Sequence, residues 1–117
     1  MIKKIVVTLT VSMGVFIGCT NDKEELLNAS GNDCTGVNSS FSTNVFPIIQ
    51  TNCAVSGCHE SGSTNGPGSL TNFEQISKAA TAIKAAVRSG LMPQGGSLSA
   101  GEIRIISCWV NSGAPNN

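Results

Sequence analysis

The stretch Cys53-Ala54-Val55-Ser56-Gly57-Cys58-His59 places two thiols and an imidazole within seven residues, and His59 is the only histidine of the chain. Two thiols at this distance can close a small disulfide. They can run thiol–disulfide exchange. They can also bond covalently to a prosthetic group while the neighbouring imidazole binds its metal. Exchange enzymes use C-x-x-C beside a βαβ pattern. Here the spacing is C-x4-C, and no run of the chain shows convincing strand alternation.

The compartment bears on the choice. Lys3 and Lys4 precede a mostly apolar run from Ile5 to Ile17, far short of the roughly 20 residues that span a bilayer as a helix. This is the layout of a secretory signal peptide. It ends in Phe16-Ile17-Gly18-Cys19, which resembles a bacterial lipobox with phenylalanine where leucine is usual. The expectation is a signal peptide over 1–18 and a lipidated Cys19 that anchors the mature chain to a bacterial membrane, periplasmic or at the cell surface. Residues 19–40 are polar and read as a flexible tether, and the globular domain is expected over 41–117. Asp22-Lys23-Glu24-Glu25 resembles the acidic tags of some surface-exposed lipoproteins, and a solvated charge run explains it equally well.

From residue 19 onward there are five cations (Lys23, Lys78, Lys84, Arg88, Arg104) and seven anions (Asp22, Glu24, Glu25, Asp33, Glu60, Glu74, Glu102), a balance of −2. No basic stripe exists, which argues against a nucleic-acid partner. The large aromatics of this part are Phe41, Phe46, Phe73 and Trp109. That is a thin supply for a small domain, whose burial is marginal at best. A cofactor, disulfides or both are expected to supplement the core.

The apolar periods predict an all-α domain of about three helices with long loops. The first spans 43–51, with Val45, Ile48 and Ile49 on one side and Pro47 tolerable only in the first turn. The second spans 73–89, where Ile76, Ala79, Ala80, Ile83 and Val87 recur at helical spacing, with Thr71 and Glu74 as a capping box and Gly90 as the stop. The third spans 100–112, with Ser99 and Glu102 as its capping box and Gly113 and Pro115 closing it. Two loops connect them: the Gly/Ser-rich residues 60–72 and the shorter residues 91–99.

With Cys19 lipidated, Cys34, Cys53, Cys58 and Cys108 remain. In an oxidising compartment they suit two disulfides, or one disulfide and two thioethers. C-x-x-C-H is the attachment signal of c-type haem, and C-x4-C-H reads as a longer variant whose two extra residues bulge outward. The alternative is a Cys53–Cys58 disulfide beside a surface histidine. Such a haem takes a second axial ligand, which in cytochromes c is a methionine. Beyond Cys19 the chain has one, Met92, in a loop 33 residues after His59. A methionine there can also be a core gap-filler.

The order helix, C-x4-C-H, glycine-rich loop, helix, Met-Pro loop, helix with an aromatic resembles the class I cytochrome c family. "VFPIIQTNCAVSGCHESGS" and "SGLMPQGGSLSAGEIRIISCWVNSGAPNN" are similar to small cytochrome c domains of exported bacterial proteins. The resemblance covers about residues 41–117 and departs from the commonest pattern in its four-residue spacer. It implies one covalent haem c on Cys53 and Cys58, His59 as proximal and Met92 as distal iron ligand, and an electron carrier, not a catalyst, that serves redox proteins of the cell envelope. It also implies that the first and last helices cross, with Val45 or Phe46 near Ile106 or Trp109. That crossing makes a Cys34–Cys108 disulfide feasible; otherwise Cys108 is a buried free thiol and Cys34 a reactive one. Leu70, Phe73, Ile76, Ile83, Val87 and Leu91 are candidates to line the haem, or ordinary core. The reading outside this family is a disulfide-stapled binding lipoprotein without haem.

Overall fold

A computed structural model describes residues 33–117. The signal peptide over 1–18, the lipidation at Cys19 and the tether as far as residue 32 lie outside the described residues. Among the described residues every regular element is helical and none is a strand, so the fold class is all-α. None of these helices is long and apolar enough to cross a membrane.

The first helix opens two residues earlier than its sequence pattern predicts. A π-helical turn, Phe41–Val45, runs directly into α1, Phe46–Asn52. Pro47 explains the wide turn: it lacks an N–H, and its ring presses on the carbonyl four residues back. Looser i→i+5 bonding, as from the Phe46 N–H to the Phe41 carbonyl, suits that position. The free N–H groups at the head of the turn are satisfied from the far end of the chain. Phe41 N–H donates to Asn117 Oδ1 and Ser42 N–H to the Asn117 carbonyl, each at 2.8 Å.

The segment 73–89 is not one helix. It divides into α2, Phe73–Lys78, and α3, Ala80–Arg88, at Ala79 with φ −92° and ψ 2°. Neither glycine nor proline marks the break, and the buried period Ile76, Ala80, Ile83, Val87 continues across it. Apolar spacing therefore reads straight through. The cap of α2 also differs. Asn72 accepts the Gln75 N–H at 3.0 Å, and Gln75 Oε1 accepts from the Thr71 N–H and hydroxyl. The N-cap thus sits one residue later than Thr71, on Asn72, which caps as well as Thr, and Gln75 reaches back to Thr71 in place of a capping box.

In α4, Ala100–Asn111, the capping box of Ser99 and Glu102 is complete. Ser99 Oγ accepts the Glu102 N–H at 3.2 Å, and Glu102 Oε2 accepts the Ser99 N–H at 2.8 Å. Ser99→Ala is expected to cost about 1 kcal/mol, read as a lower denaturant midpoint at an unchanged slope.

The four aromatics gather at one point. Phe41 packs at a tilt against Phe46 and Trp109, ring centroids 5.5 Å apart, and meets Phe73 edge-on at 4.9 Å. The first and last helices thus meet in one core that holds Val45, Ile106 and Trp109, with Phe41 as the ring against Trp109. Val45, Ile49, Ile76, Ile106 and Trp109 are fully buried around it. Trp109 Nε1 donates to the Pro115 carbonyl at 2.9 Å, so the buried indole has its partner.

Cys34 and Cys108 form a disulfide with their Cα atoms 5.6 Å apart. It holds residue 34 against α4, where Arg104 also donates to the Asp33 and Thr35 carbonyls. The Thr35 N–H and hydroxyl beside Asp33 hold its carboxyl below the usual range, with Arg104 adding to the effect.

Candidate functional site

α1 ends at Asn52, and Cys53 is its C-terminal cap, buried, with its N–H still bonded to the Ile49 carbonyl at 2.9 Å. The chain then turns outward. Cys58 N–H donates to the Val55 carbonyl at 3.0 Å, and Gly57 takes φ +78°, a left-handed value that disfavours side chains. His59 N–H returns to the Cys53 carbonyl at 3.0 Å. The C-x4-C-H segment is therefore a closed loop whose extra residues project into solvent, while its two ends meet.

His59 is 94% buried by relative area, its ring 2.9 Å from the Gly68 carbonyl through Nδ1. A carbonyl can only accept, so Nδ1 carries the N–H of this contact. Gly68 supplies that carbonyl from a turn at φ +105°. Among the described residues nothing hydrogen-bonds Nε2. The ring is thus oriented through Nδ1 by a backbone acceptor.

Cys53, Cys58, His59 and Met92 all line one cavity of about 690 Å³, a size typical of cofactor pockets. The Met92 N–H donates to the Ala86 carbonyl at 3.2 Å, tying its loop to the end of α3. Leu70, Ile83 and Val87 line the cavity, as does Leu91, although Leu91 is 64% exposed. Phe73 and Ile76 do not. Phe73 turns toward Phe41, and Ile76 is sealed in the core. Ala82 and Ala86 of α3 take part in the wall instead. Small residues at i and i+4 carry no strong sequence signal, but they open room for a flat group against the helix.

Among the described residues no Lys, Arg, Asp or Glu lines the cavity. Its titratable groups are the two thiols and the imidazole. Cys53 and Cys58 are free, and burial pushes the Cys53 thiol up, with Cys58 adding to it. Among the described residues no three His, Cys, Asp or Glu side chains form a cage for a bare metal ion.

Three polar residues outside the motif shape the loop. Glu60 accepts the Gly57 N–H at 2.9 Å, so its exposed carboxylate is not merely solvated. Ser63 Oγ donates to the Cys58 carbonyl, and Asn65 Nδ2 donates to the Gly57 and Cys58 carbonyls. The Gly/Ser/Asn-rich composition marks this segment as a loop but does not say which of its residues fold back.

The chain matches no protein-family model, no curated protein and no solved structure.

Proposed function

We propose that residues 41–117 form a class I cytochrome c-like domain that carries one electron at a time in the bacterial cell envelope. The observation that carries this reading is the single cavity lined by Cys53, Cys58, His59 and Met92. These donors fit haem c: two unbonded thiols for the thioethers, an imidazole with Nε2 free for the proximal position, and a thioether sulfur for the distal one. When bound, the haem supplies a reversible one-electron couple.

The chain's own residues do the rest. Gly68 accepts the Nδ1–H, which leaves Nε2 as the ligating nitrogen. Ile83, Val87 and Leu70 exclude water, and the uncharged wall favours a neutral apolar plate over an ionic ligand. His59 and Met92 would hold the iron of such a haem, which would supply electron transfer and leave no place for a substrate. The chain is accordingly a carrier and not an enzyme. Its partners are redox proteins of the cell envelope, and Cys19 is the lipid anchor that keeps it at the membrane. The Cys34–Cys108 disulfide suits an exported chain. A disulfide-stapled binding lipoprotein without haem leaves the Cys-His pair and Met92 unexplained.

Met92→Ala in the haem-loaded protein tests the ligand set. The expected result is covalent haem retained by mass, loss of the iron–sulfur charge-transfer band of the oxidised form, and a lower reduction potential. A band and potential identical to wild type would exclude Met92 as the ligand.

A further inference from the structure

We infer that Asn65 is a positioning residue that clasps the long C-x4-C-H loop and, through Gly68, orients the His59 imidazole; this rests on the haem reading. A four-residue spacer leaves the loop carbonyls outside any helix, so they need partners from elsewhere. Asn65 Nδ2 donates to the Gly57 carbonyl at 3.2 Å and the Cys58 carbonyl at 2.9 Å. Ser63 Oγ donates to the same Cys58 carbonyl, and Asn65 N–H donates to Ser63 Oγ at 3.2 Å. On its other side, the Asn65 carbonyl accepts the Gly68 N–H. Gly68 in turn accepts from His59 Nδ1 at 2.9 Å. One residue therefore ties the turn that carries Cys58 to the carbonyl that orients the imidazole.

The chemistry requires an amide. Both partners of the side chain are carbonyls, so only a nitrogen with two N–H groups can face them. Aspartate has the same shape and offers no donor. Alanine removes the clasp outright. Asn65 also lines the cavity, so the clasp lies beside the group it would help to seat.

The experiment compares wild type, Asn65→Ala, Asn65→Asp and the loop control Thr64→Ala, each exported from a host with haem c maturation enzymes. Covalent haem per chain is read by intact mass. In the reduced loaded fraction, solvent exchange of the His59 Nδ1–H and the Trp109 Nε1–H is read by NMR. Both Asn65 variants are expected to load less haem per chain than wild type. Their His59 proton exchanges faster than in wild type, while the Trp109 proton, held by Pro115 in the core, does not change. Thr64→Ala behaves as wild type. Wild-type loading and exchange in both Asn65 variants overturns the inference alone, as does equal acceleration of both protons, which marks general loosening. A wild-type chain that carries no haem overturns the haem reading and this inference together.

Discussion

Cys53→Ala combined with Cys58→Ala is expected to give an exported chain with no haem mass and no cooperative unfolding transition. The reason is the cavity. The cavity is open and about 690 Å³ in size, so without haem its apolar lining of Ile83, Val87 and Leu70 is wetted. Among the described residues the rest of the core is small, with Val45, Ile49, Ile76, Ile106 and Trp109 at its centre. Without an occupant it does not offset the entropy of ordering the loops. Far-UV and near-UV circular dichroism with urea titration measure the outcome. A haem-free variant that unfolds sharply, with native near-UV signals, would show that the domain stands without its cofactor.

Removing the second covalent link has the next largest effect. Cys34→Ala with Cys108→Ala is expected to destabilise the haem-loaded protein by about 4 kcal/mol, the chain-entropy value for a loop of this length. The sequence separation is 74 residues, so the unfolded chain loses much freedom when the loop is closed. The Arg104–Asp33 ion pair cannot compensate: at 3.8 Å and on an exposed surface it contributes little. Neither cysteine lines the cavity. The visible spectrum of the folded variant should therefore match wild type while its urea midpoint falls. A midpoint change worth less than about 1 kcal/mol would mean that the tie between residue 34 and α4 is energetically idle.

The helical class and the cap at Ser99 were legible because their determinants are local. Helical spacing of apolar residues and an S-x-x-E pair need nothing from distant chain. Cys53, Cys58, His59 and Met92 stand out by residue type, and the fold brings all four to one cavity. Other features depend on contacts no local pattern encodes. The π turn answers Pro47, but its head is capped by Asn117, 76 residues away. Phe73 and Ile76 share the apolar face of their segment with the cavity-lining Ile83 and Val87. The bend at Ala79 is what separates them, and no breaker residue announces it. Asn65 looks like any polar loop residue until the loop folds back on Gly57 and Cys58.

The most direct test of the account is the intact mass and reduced visible spectrum of residues 20–117, exported from a host with haem c maturation enzymes. The account predicts one covalently bound haem per chain and the sharp reduced bands of a c-type cytochrome. A colourless chain with two disulfides, alongside a maturation control that works, would contradict it. CAVSGCH would then be a stapled turn, and the cavity would belong to some other ligand.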